Sequence, residues 1–399
     1  MITKQETTQL LQALVAIHSP YFQEHEIMDY AAEWLTQQGL PPRRHIYADD
    51  KATGFHGENL YLELHGGQDG PVLCLNGHLD TVLQCSGWTR DPAGELDGNR
   101  LYGVGALDMK SGCAALMVAL AHFHRDFPRF CGTVKASFVS VEEGPFGLGT
   151  NALIEDGLLD DVDFSIIAEP SAGFTGRPFP TLCLGAKGGY GLEIQFFGRS
   201  AHAASPDLGI SAAEDMAAVV CELKRIHHME DPHLGKSICC VISMQADGGA
   251  CSVPDFASVK LFWHIVVGES PETIVREIEA AIQRAGIRCR YEIRFRDAPS
   301  PNSQGFMPYT VDPDEPMVQR FMRSIQRVTG RQPEISYFQS IGDFCYLGTR
   351  LNAPAVIFGA AGQRYHSQDE YVELDSVWKT AQTIYDFLSE TLAGGEPAK

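Results

Sequence analysis

The chain has no apolar run approaching the roughly 20 residues that cross a bilayer, so no membrane partner is expected. It is also poor in basic residues. Lys and Arg number 31 against 51 Asp and Glu, a formal net charge of −20. A nucleic acid would be repelled by that charge, and no such partner is expected. The 11 cysteines contain no C-x-x-C pair and no framework spacing. They read as reduced residues, many of them buried, in a cytoplasmic protein. The vicinal pair Cys239 and Cys240 lies in an apolar run and reads as strand filler rather than a redox site. Near the N-terminus Leu10, Leu11, Leu14 and Ile17 are spaced as one face of a short helix, unlike the continuous apolar core of an export signal.

Several catalytic signatures are missing as well. Gly103-Val104-Gly105 opens like a dinucleotide fingerprint, but Asp108 occupies the third glycine position. Met109 stands where a phosphate-binding loop needs Gly before Lys110-Ser111. His25-Glu26 continues to Asp29 where a zincin helix needs a second His, and no G-x-S-x-G is found.

What remains is a globular chain of 399 residues, 44% hydrophobic and 21% charged, long enough for two domains. The first part alternates strand-like and helix-like stretches: a strand at Val72–Asn76, a helix over Met109–His124, a strand at Thr133–Val141, a helix near Leu148–Asp156 and a strand at Asp163–Ala168. The alternation resumes with a helix over Glu315–Val328, the strand APAVIFG and a last helix over Ser376–Leu392. Crossovers of this kind predict an α/β domain, a mostly parallel sheet flanked by helices. Between about Leu184 and Ala298 the pattern changes to half-exposed strands (Tyr190–Gly198, Ala257–Gly268, Tyr291–Phe295) with helices over Ser211–His227 and Pro271–Ala285. The reading is residues 1–184 and 299–399 as one domain, with 185–298 inserted as an α+β domain.

Five potential metal ligands are spread along the first of these domains: His78 in NGHLDTV, Asp108 in GVGALDMKSG, Glu143 in SVEEGPFG, Glu169 in IIAEP and His366 in RYHSQDEY. Two imidazoles and three carboxylates suit a pair of divalent cations sharing one carboxylate. Water held between two such cations loses a proton near neutral pH and can attack a carbonyl. Glu142, beside a ligand but outside the set, is placed to carry that proton. Each proposed ligand falls at or just past the carboxyl end of a predicted strand, the edge where sites collect in open α/β sheets. Asp80, two residues after His78, is placed to receive the free ring N–H of that imidazole.

This motif series resembles the M20 metallopeptidase family over about His18–Val372. The resemblance implies a di-metal aminopeptidase-like catalytic domain that cleaves an amide bond in an N-acyl amino acid or small peptide, and an inserted domain that makes a homodimer. It implies that Asp108 bridges two cations, that His78 and Glu169 complete one site, and that Glu143 and His366 complete the other. Zinc is the first choice of metal, with cobalt or manganese compatible with the same ligands. A cis Asp108–Met109 peptide is implied, and so is a His202, in GRSAHAASPDLG, that supports the oxyanion from across the dimer. Two positions depart from the family. Cys251, in GGACSVPD, stands where Asn is usual, and His264 stands where Arg is usual; a neutral His lacks the bidentate fork of Arg. Backbone N–H groups of Phe358–Gly362 are an alternative anchor for substrate. The competing class is a non-catalytic binding or regulatory protein of the same fold, marked by loss of the base or a ligand; Glu142 and all five ligands are present.

Overall fold

The computed structural model describes residues 1–393, which divide into two compact units, Met1–Ala186 with the chain from Thr310 onward, and Lys187–Tyr309. The first unit is built on a nine-stranded sheet. Its order is Arg43–Asp49, Phe55–His65, Phe130–Val139, Gly67–His78, Phe164–Ile167, Ala355–Ile357, Thr181–Ala186 and Tyr309–Thr310, with Glu334–Phe338 also paired to Thr181–Ala186. The central neighbours run parallel, Leu75 opposite Ala136 on one side and Ile166 on the other. Antiparallel pairs occur only toward the two flanks. The sheet is therefore the expected mostly parallel one, flanked by helices. Buried from both faces, its central strands are continuous apolar runs such as Phe164–Ile167.

The helix Lys110–Asp126 is buried along nearly its whole length, from Lys110 to Phe123, and packs with Lys4–Ala16 and Leu374–Leu392. A Cβ on Gly112 would stand 2.0 Å from the Ala168 carbonyl oxygen, so glycine alone lets this helix start against the chain that leads to Glu169. Phe321, from the helix Pro316–Thr329, is wholly buried with ring centroids 5.3 Å from Phe358 and 5.1 Å from Phe387. Phe321→Ala is expected to destabilise the protein by about 3–5 kcal/mol, read from chemical denaturation, because the rigid strand and helix around it cannot close the cavity.

The second unit carries an antiparallel five-stranded sheet, ordered Ile238–Ala246, Phe256–Ile265, Gly188–Phe197, Arg290–Phe295, with Gly305–Phe306 also on Gly188–Phe197. Tyr190, Leu192, Ile194 and Phe196 alternate onto its buried face beside Ala257, Val259, Leu261 and Trp263. The helices Ala212–Leu223 and Pro271–Ala285 cover that core with Met216, Val219, Ile274 and Ile278. The unit ends at Tyr309 and not near 298, because Gly305 and Phe306 add onto Gly188–Phe197 through Tyr190 and Gly189; two residues are too short a run for sequence periodicity to reveal. Cys239 and Cys240 lie on Ile238–Ala246, at one end of the sheet, where Cys240 is exposed and Cys239 half-buried. They are strand residues, but at an edge and not in the core. No cysteine is paired, and five of the eleven are buried.

Candidate metal centre

Three neighbouring parallel strands deliver side chains to one edge of the central sheet. His78 is the last residue of Gly67–His78, Glu142 and Glu143 follow Phe130–Val139, and Glu169 follows Phe164–Ile167. Asp108 and His366 arrive differently from the strand-end rule. Asp108 closes the loop entering the helix Lys110–Asp126, and His366 follows Gly362–Gln363 in a separate four-stranded sheet. That small sheet pairs Tyr371–Glu373 with Arg100–Tyr102, which ties the two loops together. His366, with φ of 56°, sits in the left-handed region, a constraint often found at sites.

The five predicted ligands converge into two clusters that share Asp108. Asp108 Oδ1 lies 3.4 Å from His78 Nε2, which is 3.3 Å from Glu169 Oε1. Asp108 Oδ2 lies 3.2 Å from His366 Nε2, which is 2.8 Å from Glu143 Oε1. In each cluster one ligand atom per residue falls within 4.8 Å of the others. Nε2 of His78 and Oε2 of Glu169 are buried without a hydrogen-bond partner among the described residues. Buried polar atoms are seldom left so, and these two face a set of donors suited to a divalent cation.

The electrostatics point the same way. Burial and the neighbouring Asp108 push the Glu143 carboxyl up to about 7. Burial, with Asp343, Glu169 and Glu143 nearby, holds Glu142 well above the usual carboxylate range, and burial and Asp108 do the same to Glu169. Burial opposes charging His78, yet Glu169, Asp108 and Asp80 outweigh it and raise its pKa well above the ordinary value. Asp108 goes the other way, since His366 and His78 overcome its burial and lower it. Carboxylates outnumber imidazoles here, and divalent cations would supply the missing positive charge. The donor set fits two of them.

Asp80 has a different task from the expected one. His78 Nδ1 bonds the Asp80 carbonyl oxygen at 3.0 Å, and the carboxylate Oδ1 is farther, at 3.5 Å. The carboxylate instead accepts the backbone N–H groups of Glu142 (3.1 Å) and Glu143 (2.9 Å). A carboxylate that accepts two consecutive amides turns the backbone more firmly than a bond to one ring nitrogen would, and here it aims two functional side chains. Sequence spacing suggested the ring contact because the local backbone conformation of residues 78–80 was not visible in it.

Three further acids were not singled out from sequence. Glu370 is buried and accepts the N–H groups of Gly105 (3.1 Å), Leu107 (2.8 Å) and Asp108 (3.1 Å), fixing the loop that presents Asp108. Its position within RYHSQDEY was the available signal. Glu24 accepts the N–H of Val141 at 3.1 Å, one residue before Glu142. Asp343 donates its N–H to Glu142 Oε1 at 3.0 Å, and nothing in SIGDF marked it.

The remaining expected residues separate. The Asp108–Met109 peptide bond is cis. His202 lies in the second unit, exposed, its Nδ1 accepting the Ala204 N–H at 3.0 Å. Cys251 is exposed in a loop, with φ of 67°, and His264 is a half-buried residue of Phe256–Ile265 whose pKa burial and Lys187 depress. Much of the donor capacity of the Phe358–Gly362 loop is already engaged. Its Phe358, Gly359 and Ala361 N–H groups are bonded to Ile167 O, Ser171 Oγ and Ser376 Oγ. Glycine-rich composition revealed the turn but not that these three donors are taken.

A mostly parallel α/β sheet with twin carboxylate–imidazole clusters at its edge fits the class of metal-dependent hydrolases. Residues 74–390 match the family described as Peptidase family M20/M25/M40, and the chain belongs to that family. It is 25% identical over 398 residues to a succinyl-diaminopimelate desuccinylase of Psychrobacter arcticus, covering 98% of this chain and 95% of the relative. Its fold matches that of aminopeptidase PepT from Bacillus cereus with a TM-score of 0.77 at 17% identity, covering 98% of this chain and 99% of the other. It matches the YXEP protein of Bacillus subtilis, a dinuclear metal-binding peptidase, with a TM-score of 0.72 at 15% identity, covering 97% and 99%. Among the described residues no helix is long and apolar enough to cross a membrane.

Proposed function

We propose that this chain hydrolyses the amide bond of an N-acyl amino acid or small peptide with two divalent cations, one held by His78, Asp108 and Glu169 and the other by Asp108, Glu143 and His366. The observation that carries the reading is Asp108, whose two oxygens face separate imidazoles at 3.4 and 3.2 Å. When bound, the cations supply Lewis acidity that polarises a carbonyl and brings the pKa of water toward neutrality. Zinc suits the mixed nitrogen and oxygen donors, and cobalt or manganese suit the same set.

The protein's own groups do the rest. Glu142 takes the proton of the attacking water and passes it to the leaving amine. One of its oxygens is fixed by the Asp343 N–H, and the other lies 3.9 Å from His78 Nε2. Asp80 sets the backbone of that residue and of Glu143. His202 supports the oxyanion from a partner chain. Its Nδ1 is engaged as an acceptor, which leaves the proton on Nε2 as a donor. The reading as a homodimer is supported by the sheet-end strand Ile238–Ala246, where Ile238, Ile242 and Met244 are exposed. Exposed apolar edges of this kind are normally covered. The unpaired cysteines support a reducing, cytoplasmic setting.

His264, half-buried and with a depressed pKa, offers no permanent cationic fork for a substrate carboxylate. The name of the Psychrobacter relative puts a succinyl amide first among candidate substrates, ahead of an acetyl one. Protein loaded with zinc, cobalt or manganese and offered N-succinyl, N-acetyl and glutamyl amino acids and dipeptides is expected to release free amine from at least one N-acyl amino acid. Silence across that panel, with metal shown to be bound, would remove the hydrolase reading.

A further inference from the structure

We propose that Thr150 and Asp343 form a tether that aims Glu142, anchored at Asn76 on the strand that ends in His78. The inference rests on Glu142 being the proton carrier. Asn76 Nδ2 donates to Ser137 Oγ (3.0 Å) and to Thr150 Oγ1 (3.3 Å). Thr150 Oγ1 donates to Asp343 Oδ2 at 2.5 Å. Asp343 then donates its backbone N–H to Glu142 Oε1 at 3.0 Å. All three tether side chains are at most 1% exposed.

The need for a tether follows from charge. Asp343, Glu142 and Glu169 each place a carboxylate oxygen within 4.8 Å of the others. Like charges that close in a buried setting push apart, and Glu142 and Asp343 both lie outside the two candidate ligand clusters. A hydroxyl-to-carboxylate hydrogen bond is among the stronger neutral-to-charged contacts, and the Thr150 bond is at the short end of that range. It pins Asp343 just ahead of the helix Phe344–Arg350, whose Tyr346 N–H bonds the Asp343 carbonyl at 2.9 Å. Residue 343 is therefore held from its side chain and its carbonyl, and its N–H is left pointing at Glu142. Asp80 fixes the backbone of Glu142, and this second contact fixes its carboxylate. Thr150 is a positioning residue. It is bonded to Asn76 and Asp343 and to none of the candidate metal ligands.

The test is a double-mutant cycle on the metal-loaded enzyme with whichever amide it turns over. Thr150→Val removes the hydroxyl and keeps the shape. It is expected to lower kcat about tenfold, within the cost of displacing a reacting group by a fraction of an ångström, with KM and metal stoichiometry unchanged. Thr150→Ser is expected to restore kcat to within about threefold, and Thr150→Cys, a weak donor, to fall between. In a Glu142→Gln background Thr150→Val should add little further loss, because the group it positions has been removed. Crystals of Thr150→Val should show Glu142 Oε1 out of hydrogen-bond reach of the Asp343 N–H. An unchanged kcat in Thr150→Val, or a loss that multiplies fully with Glu142→Gln, or one that tracks metal loss, overturns the tether. Should the Val variant not fold, Cys as active as Ser overturns it equally. Full activity of Glu142→Gln alone is a separate result, and it would remove the proton-carrier assignment instead.

Discussion

Glu142→Gln is expected to lower kcat by about 10³-fold, inside the usual range for removing a positioned general base, while both cations still bind. The substitution is nearly isosteric. A Gln at this position keeps an oxygen to accept the Asp343 N–H, and its backbone N–H still donates to Asp80. What it loses is the capacity to take a proton. The proposed ligands are untouched, so metal analysis of the variant should match the wild type, and KM should move little. Parallel loss of metal and activity would mean that Glu142 is itself a ligand. That outcome has a structural counterpart, since Glu142 also groups with Glu169 and Asp343 at ligand spacing. A kcat within a few-fold of wild type would mean that the proton travels by another group.

Much of the fold was legible because its buried strands and helices carry strong patterns. Lys110–Asp126 and Pro271–Ala285 lie within a few residues of where periodicity placed them. The two outer strands Arg43–Asp49 and Phe55–His65 were not legible. Arg43, Arg44 and His56 are exposed and interrupt the apolar alternation, and Arg43–Asp49, at the end of the sheet, has only one neighbouring strand to pack with. The second unit's sheet-end strand Ile238–Ala246 shows the opposite failure. Its apolar run suggested strand filler for the cysteines within it, but Cys240, Ile238, Ile242 and Met244 are exposed.

The candidate site divides along a similar line. His78, Asp108, Glu143, Glu169 and His366 were found because ligand chemistry restricts the residue types, and their order along the chain is readable. The residues that position them were found less well, since a carboxylate that accepts backbone N–H groups can approach from any distance in sequence. Glu370 reaches back 262 residues to the Asp108 N–H, and Asp343 reaches 201 residues to Glu142. Asp80 was found for proximity to His78, and its larger task concerns the loop at 142–143. Sequence reading therefore brings out the candidate ligands, whose residue types are restricted, and misses the residues that hold their backbone in place.

The sharing of Asp108 makes a prediction that no single-site arrangement makes. Asp108→Asn is expected to abolish binding of both cations together, whereas His366→Ala should leave the His78–Glu169 side able to hold one. An amide offers one neutral oxygen acceptor, while the native carboxylate turns one oxygen to each imidazole. Activity of Asp108→Asn should drop by about 10⁴-fold or more, because the attacking water would no longer have its pKa lowered by several units. Thermal unfolding provides a readout independent of turnover. A ligand that binds only the folded state stabilises it by about 2.7 kcal/mol at a hundredfold excess over Kd, so two sites amount to roughly 5 kcal/mol in the wild type. Adding zinc should therefore raise the wild-type Tm substantially, raise that of His366→Ala by a smaller amount, and leave Asp108→Asn almost unmoved. Equal zinc responses in the two variants would show that the clusters bind independently, and Asp108 would then serve one of them alone.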